Sequence, residues 1–125
     1  MSTFTPKLYL KSNCPFCFKV IMFLTEIQQM DQVDIIRIEG NDESEMNLYR
    51  QKLAALTGAK ASFPTAELTE NEYVTDSDAI VAFFAERAGI NTDQAEGYQF
   101  YLNGLFPTYI ARFKELKALQ TQLEA

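Results

Sequence analysis

The sequence predicts an α/β fold: a mixed four-stranded sheet in the order βαβαββα, with helices on both faces and a C-terminal helical extension. Three observations carry this. Strand-like and helix-like segments alternate along the first 89 residues. The opening βαβ stretch requires parallel strands, because a hairpin cannot join them across a helix. Two short extended runs close together near residues 65–75 read as a hairpin, which adds antiparallel strands. The 125 residues amount to one domain's worth of chain. A chain of that size buries roughly two-thirds of its unfolded surface, so it holds a core without disulfide staples.

Taken in order, Lys7 to Lys11 (KLYLK) is a short strand. Asn13 to Met30 follows as a helix, with Pro15 in its first turn, where a missing N–H costs nothing. Its inward face is expected to carry Phe18, Ile21, Met22 and Thr25, at spacings of three, one and three. Val33 to Glu39 (VDIIRIE) is rich in β-branched residues and reads as the second strand. Asn41 to Ser44 is a polar turn with cap candidates. Glu43 to Thr57 is the second helix, with Met46, Tyr49, Leu53 and Leu56 on one face and Gly58 where a left-handed residue ends a helix. After Phe63-Pro64 come a strand at Thr65 to Leu68, a turn at Thr69 to Glu72 and a strand at Tyr73 to Thr75. Asp76 or Ser77 caps a third helix that runs to Ala88 and stops at Gly89. Residues 1–89 are read as one domain and 90–125 as an extension of one or two helices.

The extension begins with a weak helix at Asp93 to Leu105, diluted by Gly97 and Gly104. From Pro107 the pattern firms, with Ile110, Phe113, Leu116 and Leu123 at helical spacing. Tyr98, Phe100, Tyr101, Phe106, Tyr109 and Phe113 crowd aromatics into a short stretch, and such a stripe needs a partner surface. Packing back on the preceding domain is expected, with a homodimer interface as the alternative.

Composition excludes several functions. Lys plus Arg number 11 against 17 Asp plus Glu, a net charge of -6, the wrong sign for a non-specific nucleic-acid binder. The chain has no histidine, which removes Ser-His and Cys-His catalysis and every His-ligated metal site. Two cysteines are too few for a four-thiolate zinc site, and no metal is expected. No segment approaches the roughly 18 apolar residues of a membrane span. Met1 to Lys7 lacks the pattern of a secretory signal. The expected compartment is the cytoplasm, where a close cysteine pair points to catalysis or metal binding more than to a structural disulfide.

The informative segment is Lys11-Ser12-Asn13-Cys14-Pro15-Phe16-Cys17, a C-x-x-C where the first strand gives way to the first helix. Cys14 falls at the helix N-terminus, where unpaired N–H groups and the helix dipole favour an anion. A thiolate there is stabilised, and the thiolate is the nucleophile. Cys17, one turn on, can attack a mixed disulfide formed at Cys14 and release the partner as a thiol. Lys11 adds a positive charge that pushes the Cys14 pKa down.

Cys-Pro-Phe-Cys after a first strand, in this element order, resembles glutaredoxin and the N-terminal domain of glutathione transferases, both of the thioredoxin-like fold. The resemblance covers about residues 6–89. It implies a glutathione site built from Lys11, Phe16, Phe63, Pro64, Asp76 and Ser77 around the catalytic Cys14 and Cys17. Lys11 then pairs with the glycyl carboxylate of glutathione. Leu56 to Pro64 resembles the glutaredoxin segment that ends in a cis proline. The residue before it, here Phe63, offers its backbone to the cysteinyl part. This segment carries one extra residue and Ser62-Phe63 in place of Thr-Val, which leaves the role of Lys60 open. Thr75-Asp76-Ser77-Asp78-Ala79-Ile80 resembles the transferase segment Glu-Ser-x-Ala-Ile. There Ser77 holds the γ-glutamyl carboxylate and Asp76 faces the ammonium.

A full transferase adds a helical domain of well over one hundred residues, and most of the wall of its electrophile pocket is expected to be missing here. The resemblance therefore implies a glutathione-dependent thiol–disulfide oxidoreductase that reduces mixed disulfides of proteins or small thiols. Glutathione is a co-substrate and no cofactor is tightly bound. The alternatives are a transferase-like or non-catalytic glutathione-binding module, and an iron–sulfur carrier in which a dimer shares a cluster between two Cys14 thiolates and two glutathiones.

Overall fold

In this computed structural model, which describes residues 4–124, β1 (Lys7–Lys11) is one of two inner strands of the sheet. The parts of the expected domains at residues 1–3 and 125 lie outside the described residues. Alternation along β1 sends Leu8 and Leu10 to one face of the sheet and Tyr9 to the other, and all three are buried. β1 pairs in parallel with β2 (Asp34–Ile38) and antiparallel with β3 (Thr65–Thr69), which forms a hairpin with β4 (Glu72–Val74). The sheet order is β2-β1-β3-β4. The hairpin turn has Asn71 in the left-handed region, φ 63°.

On one face lie α1 (Pro15–Glu26) and α3 (Ser77–Ala88), whose Val20, Phe23, Leu24, Ile80, Val81 and Phe84 close on Leu8 and Leu10. On the other, α2 (Glu43–Thr57) sets Met46 and Leu53 against Tyr9 and Ile38. Each such side chain contributes about 1.5–3 kcal/mol when fully buried. α2 and α3 end as the sequence leads one to expect, at Gly58 (φ 74°) and Gly89 (φ 69°).

Two expectations are corrected. α1 is shorter than Asn13 to Met30: it stops at Glu26, Gln28 turns the chain at φ 59°, and a 3-10 turn follows at Met30–Gln32. Its inward face is also displaced by one position. Cys17, Val20, Phe23 and Leu24 are buried, whereas Phe18 and Thr25 are exposed and Ile21 and Met22 half-buried. The run PFCFKVIMFL is apolar nearly all round, so periodicity alone does not fix its phase.

The extension is one unbroken helix rather than two. After a 3-10 turn at Thr92–Gln94 come α4 (Glu96–Phe100), a π turn (Tyr101–Leu105) and α5 (Phe106–Glu124). Glu26, at the end of α1, starts it. Its carboxylate accepts from the backbone N–H of Gly97 (2.8 Å) and of Tyr98 (2.7 Å). Tyr98 and Tyr101 are buried, Tyr98 with its ring 5.0 Å from that of Phe23. The expected packing against the preceding domain thus holds for the front of the stripe. It fails for the rear: α5 buries no residue, and Phe113, Leu116 and Leu123 are exposed. No helix among the described residues is long and apolar enough to cross a membrane.

Candidate functional site

Topology brings most of the expected residues to one end of the two inner strands. β1 runs into Cys14, and β3 runs antiparallel to it with Tyr9 opposite Thr65. The residues just before β3 therefore lie beside those just after β1. The Phe63–Pro64 peptide bond is cis, and the Phe63 carbonyl lies 3.7 Å from Cys14 Sγ, which donates to it as a thiol.

Cys14 is the N-cap of α1, with extended backbone (φ -124°, ψ 120°), and Pro15 opens the helix. Its sulfur stands where a Ser or Asp oxygen usually caps, accepting from the backbone N–H of Cys17 at 3.4 Å. The thiol is lowered to about 6. The largest cause is its hydrogen bond with the Cys17 side chain; burial opposes it, and the Cys17 and Phe16 N–H groups and the Lys11 charge assist. Lys11 acts in the expected direction but is the smallest of these causes. Cys17 is not an ordinary thiol. Hydrogen bonding to Cys14, burial and the nearby Cys14 charge push it well above the usual range, although its sulfur accepts from the Lys11 N–H at 3.3 Å. Both cysteines are free and buried.

A cleft of about 410 Å3 is lined by Phe16 and Phe63, neighbours of Cys14, but by neither cysteine. It gathers Phe16, Phe63, Pro64, Asp76 and Ser77 from the expected set, together with Lys19, Asp78 and Phe106. Asp76 caps α3, its Oδ1 accepting from the N–H of Asp78 (2.9 Å) and Ala79 (3.4 Å). Lys11 lies outside the cleft, its Nζ 5.7 Å from the centroid of the Phe63 ring. It shares a separate hollow with Cys17, Phe18 and Arg37. Lys60 faces another hollow, with Thr57 and Tyr73.

A second cavity, about 330 Å3, lies against Cys14, lined by Ser12, Asn13, Pro15, Phe18, Tyr101, Leu105 and Tyr109. The π turn and the start of α5 supply Tyr101, Leu105 and Tyr109 of this lining. Tyr101 is the chief builder. Its hydroxyl donates to the Pro15 carbonyl at 2.8 Å, and its ring centroid is 5.0 Å from Phe18 and 5.6 Å from Phe106. Burial and the neighbouring Cys14 charge push its phenol up to about 12.

Lys19 and Asp78 carry no site role in the sequence reading, and Tyr101 and Phe106 enter it only as members of the aromatic stripe. The available signal was Lys19 itself, the only charge within the apolar run of α1. Among the described residues no group of three or more Cys, Asp, Glu or His side chains is gathered for a metal ion.

No protein-family model matches the sequence, and no curated protein matches it. Solved structures do match in fold. A possible glutathione S-transferase from Rhodopseudomonas palustris superposes with a TM-score of 0.59 at 21% identity, over 97% of this chain and 63% of that one. A diazinon-metabolizing glutathione S-transferase of the silkworm, Bombyx mori, gives 0.51 at 20%, over 67% of this chain and 38% of its own. Glutaredoxin 2 from Salmonella typhimurium, crystallised with glutathione, gives 0.50 at 22%, over 68% and 34%. The chain thus spans between about a third and two thirds of these proteins' length. Its fold is thioredoxin-like, and its structural neighbours are glutathione S-transferases and glutaredoxins.

Proposed function

We propose that this protein is a glutathione-dependent thiol–disulfide oxidoreductase acting on mixed disulfides between glutathione and proteins or small thiols, in the reducing setting of the cytoplasm. The observation that carries the reading is Cys14: a helix-capping sulfur with its thiol lowered to about 6, 3.7 Å from the carbonyl of Phe63, a residue that lines a cleft of about 410 Å3. Above that pH it is a thiolate without help from a base.

The Cys14 thiolate attacks the glutathione sulfur of a mixed disulfide. The old S–S bond breaks, its electron pair leaves with the substrate sulfur, and water protonates that thiolate. Cys14 is then joined to glutathione. A second glutathione, as thiolate, attacks the glutathione sulfur of this adduct; glutathione disulfide departs and Cys14 recovers its electron pair. Net, one mixed disulfide and one glutathione give one free thiol and one glutathione disulfide. Cys17, whose raised thiol keeps its proton in the resting state, donates to the Cys14 thiolate. It can also displace glutathione from the adduct, forming a Cys14–Cys17 disulfide that two further glutathiones reduce. Glutathione is a co-substrate in this scheme, held by Phe16, Phe63, Pro64, Asp76 and Ser77, with Lys11 toward its glycyl end.

The test is reduction of a glutathione mixed disulfide by wild type, Cys14→Ser and Cys17→Ser. Wild type is expected to turn over, Cys14→Ser to lose activity by at least a hundredfold, and Cys17→Ser to retain much of it. An inactive wild type, or an active Cys14→Ser variant, refutes the reading. A second reading, transfer of glutathione to an apolar electrophile, is favoured by the cavity walled by Phe18, Tyr101 and Tyr109. Conjugation of glutathione without disulfide reduction would select it.

A further inference from the structure

We propose that Lys19 determines specificity for an anionic ligand in the cleft at the start of α3, holding the ligand's γ-glutamyl α-carboxylate where Asp78 sits in the free protein. The inference rests on the glutathione reading and names a contact within that site. Lys19 is a buried cation in the apolar run of α1. Burying an ammonium is costly unless it is paired.

The pairing it does have is lopsided. Nζ lies 2.7 Å from Asp78 Oδ1, yet the Lys19 side chain is 3% exposed and that of Asp78 77%. A buried cation is held by a carboxylate that stands almost wholly in water. Such a partner is exchangeable: a ligand carboxylate can replace it without loss of charge pairing while Asp78 returns to solvent. The ammonium pairs with Asp78, while Asp76 turns its Oδ1 to two N–H groups of α3. Two aromatic rings fix Nζ from other sides, Phe16 with its centroid at 5.7 Å and Phe106 at 5.0 Å, which adds cation–π attraction and keeps water away.

Charge and reach agree. Among the described residues lining this cleft, Lys19 is the only cation, beside Asp76 and Asp78. A ligand with two carboxylates is repelled there unless Lys19 meets one of them. The ligand's sulfur has to reach Cys14, and Lys19 lies five residues further along α1, roughly 7.5 Å of axial rise, the scale of one γ-glutamyl arm.

The probe is S-methylglutathione, which binds without thiol chemistry, and its γ-glutamyl α-carboxamide, each titrated calorimetrically into wild type, Lys19→Gln, Lys19→Arg and Asp78→Asn. Lys19→Gln is expected to weaken S-methylglutathione about tenfold, Lys19→Arg to restore most of it, and Asp78→Asn to tighten it several-fold by removing the internal competitor. The carboxamide should cost wild type about tenfold and cost Lys19→Gln nothing more. Alkylation of Cys14 by neutral iodoacetamide should stay within about twofold in every variant, which separates a lost ligand contact from a disturbed α1. Equal binding by wild type and Lys19→Gln, or an equal carboxamide penalty in both, overturns the inference. If Lys19→Gln does not fold, Asp78→Asn decides: unchanged affinity overturns it. Those results in a wild type that turns over glutathione refute Lys19 alone; a wild type with no glutathione-dependent turnover refutes the parent reading and this inference with it.

Discussion

At the scale of single residues, the cysteine pair shows how an N-cap becomes a reagent. The same orphan N–H groups that a Ser or Asp would satisfy are given to sulfur, and the fold thereby prefers the ionised form. The rate of Cys14 alkylation should rise with pH around a midpoint of about 6 and level off above it. A midpoint near the ordinary 8.5 of a free cysteine would remove the basis of the catalytic reading. The sign carries over to stability: an acid ionising lower in the folded than in the unfolded chain adds stability that is complete above the unfolded value and is lost as pH falls through about 6. Since the Cys17 side chain is the largest cause, Cys17→Ala should move the midpoint upward more than Lys11→Met does. Asp76 and Ser77 should also separate. Asp76→Ala removes a cap on α3 and should cost about 1 kcal/mol of stability, measurable by denaturant unfolding. Ser77→Ala should leave stability closer to wild type and raise the Michaelis constant for glutathione. If neither changes glutathione use, the two residues only start the helix. Cys14, Cys17 and the cleft residues were legible because short motifs carried them. Lys19 was not, because a lysine inside an apolar helix run gives no sign of which way it faces until the phase of α1 is known.

At the scale of elements, capping signals were readable and helix phase was not. Gly58, Gly89 and the Asp76–Ser77 start were all visible, because each is a local requirement of the backbone. The buried face of α1 depends on where Cys14 and Pro15 set the first turn, and an all-apolar run hides that. Glu26 belongs here as well. It ends one helix and begins another some seventy residues later, a link between distant segments that no local pattern announces. Removing it should leave the Gly97 and Tyr98 N–H groups without their carboxylate. Glu26→Ala is expected to lose about 1 kcal/mol and to raise hydrogen exchange along α4 more than along α3. Equal exchange in both helices would show that Glu26 does not anchor the extension.

At the scale of the whole molecule, the extension is half inside and half outside. Tyr98→Ala should be severe, about 3 kcal/mol or more, as expected for deleting a buried ring. Phe113→Ala on α5 should change unfolding by a few tenths at most. Comparable losses from the two substitutions would mean that α5 is covered in solution, and sedimentation over a range of concentrations would then reveal a dimer that dissociates on dilution. The π turn ties these parts to the cleft. Its closing bond runs from the Phe106 N–H to the Tyr101 carbonyl, one residue longer than an α-helical bond, and so represents a single surplus residue in an otherwise regular helix. That surplus is an adjustable dial. Gly104 has open space around it, and were the turn to tighten to α-helical spacing with every residue kept, everything downstream would swing by about 100°. Phe106 would then leave its edge-on seat 5.2 Å from Phe16, and the cleft would lose its roof with every cleft-lining residue still present in the sequence. One hydrogen-bond step at this turn, rather than chemistry at any side chain, sets whether the two halves of the chain meet.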